Sequence, residues 1–256
     1  MALALLGSRR RPTISCVIDP RKQAEREYPE RVGPAGRRWL ETKPFGQDPR
    51  QTALYVIDFG YILQLLDLRP GTRLCELGCG SGWMTLLAAR QGVDAVGYDI
   101  SPMMIEIARD RAAAEKLEAR FEVADMEALD LGRTFDVCLV YDALHHSPRP
   151  NLVVRTAHRA LRPGGALLLA EPNWRHRSRG VRVSSEYGTT ELGYTPRRLR
   201  HHLRQAGFVD IRRFHTNRKR LYSNTPNDMV SHFAEPVVYR VLAPFWTQIW
   251  LRATAS

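Results

Sequence analysis

The sequence predicts a doubly wound α/β fold, a mostly parallel sheet with helices on both faces. Three observations carry that expectation. Apolar strand-like runs alternate with helical stretches through most of the chain. The connections between them are short. The first such connection, "GCGSG" after "RLCEL", is rich in glycine, as the phosphate- or nucleoside-facing turn of such a sheet is. The 256 residues suffice for one large domain.

The elements follow in order. Residues 1–48 are rich in Arg, Pro and Gly, with little periodicity, and read as a loosely ordered arm with one short helix. From residue 49 the α/β domain begins, running to 256. "PRQTALYVIDFGYILQLLDL" spaces Leu54, Ile57, Ile62, Leu65 and Leu66 as one helical face, and "RPGT" ends it. Arg73–Leu77 is a first strand, 82–91 a helix and "VDAVGYDI" a second strand. Ser101 caps the next helix, with Pro102 at its first position. "ARFEVAD" and "FDVCLVYD" are strands three and four. "NLVVRTAHRALR" is helical, and "ALLLAEP" is a fifth strand, apolar enough to be buried on both faces. "TPRRLRHHLRQAG" is a helix capped by Thr195 and closed by Gly207. "FVDIRRF" is strand six and "FWTQIWLRATA" strand seven. Two stretches, near 172–195 and 216–244, exceed what this alternation needs and read as cap insertions.

The net charge is +11, carried by four lysines (Lys22, Lys43, Lys116, Lys219) and otherwise by arginine. Such charge favours an anionic partner, although heavy arginine use also follows genome composition. Cys16, Cys75, Cys79 and Cys138 form no CxxC pair and no Cys/His group at zinc spacing. The expectation is therefore reduced, buried thiols in a cytoplasmic protein without a metal. "MALALLGSRRRP" places its arginines after its apolar run, the wrong order for a signal peptide. No apolar run approaches 18 residues, so no membrane span is expected.

Gly78, Gly80 and Gly82 follow the first strand at two-residue intervals. Glycine tolerates positive φ and lets a ligand reach the backbone, and a helix N-terminus offers free N–H groups there. A dinucleotide fingerprint would want a third glycine where Trp83 stands. A P-loop would need a lysine, and there is none. Asp99 closes strand two, and a carboxylate there suits ribose hydroxyls. Asp125 closes strand three beside Met126, a pair fit for an amino group and a flat base. Glu76 adds negative charge, which favours a cofactor with a cationic end.

"CELGCGSG", "VGYDIS", "EVADMEAL", "FDVCLVYDALHH" and "LRPGG", in that order over about residues 50–215, resemble the class I S-adenosylmethionine-dependent methyltransferases, within them the small-molecule group. The resemblance implies a Rossmann-like sheet of seven strands with the last antiparallel, and S-adenosylmethionine as cofactor. By position it sets Glu76, Gly78, Cys79, Gly80 and Gly82 toward the methionine end, Asp99 with Ile100 toward the ribose, and Asp125 with Met126 toward adenine. Tyr141, at the end of strand four, is a further cofactor-binding candidate.

Methyl transfer from a sulfonium is an in-line displacement for which orientation supplies much of the catalysis. A base helps a hydroxyl acceptor. "YDALHHSP" ends strand four at the cofactor edge, so Asp142, His145 and His146 are the catalytic candidates, with His146 preferred. The caps carry arginines and aromatics that suit an anionic or ring-bearing acceptor, and Trp174, Arg175 and Tyr222 are the substrate-binding candidates. Arg38, Trp39, Lys43, Phe45, Tyr55 and Tyr61 are placed to close over a cofactor, although packing accounts for them more simply. The expected activity is methyl transfer to a small or carrier-linked metabolite, first to a hydroxyl of a sugar, polyketide or lipid-linked precursor. A ring carbon is an alternative acceptor. An RNA acceptor fits the charge, but strand four lacks the Asn/Asp-Pro-Pro-Tyr/Phe and Pro-Cys signatures, and no RNA-binding module is appended. A non-catalytic scaffold of this fold is the third reading.

Overall fold

The computed structural model describes residues 18–46, 48–215 and 248–256. The second cap insertion, with Tyr222, lies outside them. Seven strands form one sheet in the order β3-β2-β1-β4-β5-β7-β6. They are β1 (Arg73–Leu77), β2 (Asp94–Asp99), β3 (Arg120–Val123), β4 (Phe135–Tyr141), β5 (Leu161–Pro172), β6 (Phe208–Phe214) and β7 (Gln248–Ala255). Neighbours from β3 through β5 pair in parallel, and β7 runs antiparallel to both β5 and β6. Strand order reverses between β1 and β4, the switch point where ligands meet such sheets.

Eight α-helices accompany the strands among the described residues: α1 (Pro20–Arg31), α2 (Gly33–Thr42), α3 (Pro49–Leu65), α4 (Trp83–Ala89), α5 (Pro102–Glu115), α6 (Pro150–Ala160), α7 (His176–Tyr187) and α8 (Pro196–Ala206). The central strands are covered on both sides, so alternate residues enter two cores. Cys138 and Val140 of β4 and Leu167 and Leu169 of β5 pack with Val153, Val154 and Ala157 of α6 and with Leu199 and Leu203 of α8. The intervening Val137, Leu139 and Leu168 pack with Ile62 of α3, Met84 of α4 and Trp250 of β7. Ile105 and Ala108 of α5 pack on Phe121 of β3 beside Cys79 and Leu86. Each fully buried Leu or Ile of this kind contributes about 1.5–3 kcal/mol.

The caps form as the sequence indicates. The Ser101 hydroxyl accepts from Met104 N, and the Thr195 hydroxyl accepts from Arg198 N at 3.2 Å. Thr195→Ala should cost about 1 kcal/mol. Urea unfolding would show it as a lower midpoint at unchanged slope, and no shift would mean that α8 is held by packing alone.

The segment expected to be a loose arm contains two helices. Asp19-Pro20 supplies an N-cap and a proline at the first position, and the Asp19 carboxylate accepts from Arg21 N at 3.0 Å. Asp48-Pro49 repeats the device at α3. The arm lacks periodicity because much of α1 meets polar groups at the rim of a cavity, and no apolar stripe is needed for that.

Candidate functional site

The carboxyl ends of β1, β2, β3 and β4 open into a cavity of about 260 Å³. Glu76 ends the inner part of β1 and is 2% exposed. Its carboxylate accepts from the Thr85 hydroxyl of α4. Burial raises its pKa to about 8, against the hydrogen bond from Thr85 and the nearby Lys43 ammonium.

The loop after β1 uses its glycines for different ends. Gly78, Gly80 and Gly82 all have positive φ. A Cβ on Gly78 would lie 2.5 Å from Ala143 Cβ. On Gly80 it would meet only Met104 Cε, at 3.9 Å, with the cavity beyond. Gly82 does not line the cavity, contrary to the sequence expectation. It caps α4 in the left-handed conformation, and its Cβ would strike Phe121 at 2.6 Å and Ala108 at 2.8 Å. Gly82 is required for packing the loop on α5 and β3.

Asp99 lines the cavity with Ile100. Its carboxylate accepts from Gly80 N at 2.8 Å and from Ser101 N at 2.9 Å. Burial raises its pKa, opposed by these two N–H groups. Asp125 and Met126 line the β3 end. There the buried Lys22 of α1 reaches both Asp125 and Glu127 at 2.5 Å. Tyr141 also lines the cavity, but its hydroxyl is turned away and donates to the buried Asp58 at 2.5 Å.

The residues after β4 separate into two roles. Asp142, with φ of 53°, and His146 line the cavity. His145 does not. It is 3% exposed, and its Nδ1 lies 2.9 Å from Glu171 at the end of β5. Glu171 also accepts from the backbone N–H groups of Ala143 at 3.0 Å and Leu144 at 2.8 Å. His145 and Glu171 therefore fix the turn on which His146 is carried. His146 Nδ1 is 3.4 Å from Glu25 of α1 and 3.7 Å from Glu191. Burial alone would lower its pKa, but Glu25 first, then Glu191 and Asp142, raise it to about 10. At neutral pH His146 is thus an imidazolium. Potential ligand atoms of His145, His146 and Glu191 lie within 4.8 Å of one another. In this arrangement they are engaged in a hydrogen-bonded ion network, in which Thr190 O also contacts His146 Nδ1 at 3.2 Å.

Trp174 and Arg175 are not brought to the cavity. Trp174 is 50% exposed, with the Arg175 guanidinium 5.4 Å from its ring centroid. The reason is local: Asn173 bridges to Tyr194, and Gly193 backs directly against the Trp174 main chain. From this cap Thr189 and Glu191 reach the cavity instead.

The sequence missed most of the α1–α2 contribution. Lys22, Glu25, Tyr28, Trp39, Leu40 and Lys43 all line the cavity. Of the six residues placed as possible closers, Arg38 is exposed outside the cavity, and Trp39 and Lys43 line it. Tyr55 packs behind them on Trp83, Phe45 is exposed and Tyr61 packs on Trp250. The Asp-Pro caps were the available signal. Among the described lining residues there are seven carboxylates (Glu25, Glu76, Asp99, Asp125, Glu127, Asp142, Glu191) and two lysines. The excess of positive charge in the sequence is therefore not concentrated on these walls.

Comparison with known proteins agrees with this geometry. Residues 75–169 match the family model of a methyltransferase domain. A ubiquinone biosynthesis O-methyltransferase of Xanthomonas oryzae pv. oryzae (strain PXO99A) is 31% identical over 123 residues, 47% of this chain and 51% of that protein. A 27-O-demethylrifamycin SV methyltransferase of Amycolatopsis mediterranei (strain S699) is 40% identical over 111 residues, 42% of this chain and 41% of that one. The chain thus spans about half the length of the curated relatives it matches. The fold resembles Haemonchus contortus phosphoethanolamine N-methyltransferase 2 in complex with S-adenosyl-L-methionine, with a TM-score of 0.64 at 17% identity, covering 90% of this chain and 59% of that one. Residues 75–169 thus resemble a methyltransferase domain, and the solved structure of similar fold is a complex with S-adenosyl-L-methionine. The donor set fits that group: acids at the ends of β1, β2 and β3, and a glycine cradle left open at Gly80. No described helix is long and apolar enough to cross a membrane.

Proposed function

We propose that this chain, built on a class I S-adenosylmethionine-dependent methyltransferase domain, transfers a methyl group to a hydroxyl oxygen of a small or carrier-linked metabolite. The observation that carries the reading is the convergence of Glu76, Gly80, Asp99, Asp125 and Met126 on one cavity whose far wall holds Asp142 and His146. The O-methyltransferase names of the two curated relatives support oxygen as the acceptor. The same reading places the protein in the cytoplasm, with its buried thiols Cys75, Cys79 and Cys138 reduced. It also divides the chain into an arm up to residue 48, a catalytic domain from 49, and caps near 172–195 and 216–244.

The bound cofactor supplies an electrophilic methyl on a sulfonium. The protein's part is to hold, orient and dry the reactants. Asp99 stays aimed by the Gly80 and Ser101 N–H groups. Glu76 would hold the cofactor's amino group, ionising on contact with it. Lys22 secures α1 over the β3 end, so that α1 and α2 exclude water. His146 is carried on the turn that His145 and Glu171 fix. In the observed pairing it is charged and orients the acceptor. To act as a base it would first release its imidazolium proton to solvent, after which its free ring nitrogen would take the acceptor's hydroxyl proton as the oxygen gains the methyl group.

Transfer of radiolabelled methyl into host extract, divided into small-molecule, lipid, RNA and protein fractions, tests the reading. Label is expected in the small-molecule or lipid fraction. Label in RNA alone would overturn the acceptor class. His146→Ala should lower the rate by about 10²–10⁴-fold while leaving cofactor affinity within about threefold. An unchanged rate would remove His146 from the chemistry.

A further inference from the structure

Lys43 follows α2 directly and places its ammonium inside the cavity, at the end framed by Glu76, Asp142 and the glycine loop. Three aromatic faces surround it. The nitrogen is 4.8 Å from the ring centroid of Tyr55, 5.1 Å from Trp39 and 5.4 Å from Trp83. The main chain at this point is tied down from α5, where Arg111 donates to the Lys43 carbonyl at 2.6 Å and to the Ser81 carbonyl at 3.0 Å. Burial pulls the amine's pKa down, while Asp142 and Glu76 act in the opposite sense. Ring faces attract a cation but do not satisfy its three N–H donors as an anion does. A rigidly held, desolvated ammonium facing a cavity is therefore prepared for an anionic ligand group.

The charges at this end can be matched. Among the described lining residues Lys22 is the other lysine, there is no arginine, and Lys22 is already spanned between Asp125 and Glu127 at the β3 end. The His146 imidazolium of the lining is paired with Glu25 and Glu191, so the methionine end presents Lys43 as its further cation, with two acids, Glu76 and Asp142. The methionine portion of the cofactor carries the complementary set: one carboxylate, one ammonium and one sulfonium. Its two cations pair with the two acids, and only Lys43 is left for its carboxylate.

We propose that Lys43 seats the carboxylate of S-adenosylmethionine, so that α2, outside the matched methyltransferase domain, supplies part of the cofactor site. This rests on the cofactor reading above, and the test separates the two. Calorimetric titration of the full chain would use S-adenosylmethionine, S-adenosylhomocysteine and decarboxylated S-adenosylmethionine, with the native protein, Lys43→Met and Lys43→Arg. The native protein should bind the decarboxylated compound about 10- to 100-fold more weakly than S-adenosylmethionine. Lys43→Met should weaken both carboxylate-bearing ligands by a similar factor and leave the decarboxylated one within about threefold. Lys43→Arg should recover part of the loss. Equal weakening of all three ligands would make Lys43 a packing residue and overturn the proposal. Tighter binding of S-adenosylmethionine alone by Lys43→Met would also overturn it, by assigning the rings to the sulfonium. Should Lys43→Met fail to fold, equal native affinity for the intact and decarboxylated compounds would itself refute the proposal. If the native protein binds none of the three, the cofactor reading fails and this proposal with it.

Discussion

Gly80→Arg is expected to yield a folded protein that no longer binds S-adenosylmethionine, whereas Gly82→Ala, a far smaller change two residues away, is expected to destabilise the fold. The difference lies in what each missing Cβ faces. At Gly80 the nearest atom is Met104 Cε at 3.9 Å, and a longer side chain extends into the cavity. At Gly82 a methyl meets Phe121 Cε1 at 2.6 Å and Ala108 Cβ at 2.8 Å, in a packed core. Both residues have positive φ, so any L residue adds about 1–2 kcal/mol of backbone cost at either position. Gly82→Ala adds overpacking of about 1–3 kcal/mol to that. Chemical denaturation should therefore show a loss of about 2–5 kcal/mol for Gly82→Ala. Gly80→Arg should match a Gly80→Ala control in stability. Equilibrium binding then separates the two Gly80 variants, since alanine leaves the cradle open and arginine fills it. Native-like affinity in Gly80→Arg would refute this placement of the cofactor.

Glu76→Gln should weaken cofactor binding by about 10-fold or more and at the same time stabilise the free protein at alkaline pH. The Glu76 pKa is raised by burial from 4.5 to about 8 in the folded state. The folded protein therefore holds this proton where the unfolded chain has released it. Stability falls as pH rises from the unfolded value of 4.5 through about 8, by up to about 1.4 kcal/mol per unit. Glutamine keeps an acceptor for the Thr85 hydroxyl and has no charge to desolvate. The variant's advantage should therefore grow across that window to a few kcal/mol at about pH 8, reduced in part because Lys43 loses one of its two acids. With the cofactor ammonium placed at Glu76, binding would require Glu76 ionised. Affinity should rise up to about tenfold per pH unit between about 6 and 8, with a proton released on binding, as Asp99, Lys43 and Thr85 keep their places around it. Calorimetry in buffers of different ionisation enthalpy measures that proton. Affinity flat from pH 6 to 8, with no proton released, would show that Glu76 is not the group that meets the ammonium.

The parts of the site legible in the sequence are those where one local segment carries both the element and its function. Glu76, Gly78 and Gly80 end one strand and start one turn. Asp99 and Asp125 stand where apolar runs stop, and that is where the structure puts them beside the cavity. The same local logic located Ser101 and Thr195 as caps, and the first and sixth strands to the residue. It misjudged Gly82, because spacing within the loop does not reveal whether a glycine faces a ligand or a phenylalanine ring contributed by β3. It misjudged the arm, because a helix that covers polar groups displays no apolar period. It preferred His146 to His145, but the grounds for separating them, Glu171 holding one and Glu25 facing the other, come from residues distant in sequence.

The sequence by itself determined the fold class, the glycine turn and the acids at the cavity edge, since strand alternation, turn chemistry and strand-end carboxylates are short-range properties of the chain. Only the tertiary structure decided that α1 and α2 line the cavity, that His145 is pinned while His146 faces inward, that Trp174 and Arg175 point elsewhere, and that Lys43 enters the cavity beside Glu76 and Asp142. Those outcomes depend on long-range packing and on the balance between burying a charge and pairing it, and neither quantity exists until distant segments meet.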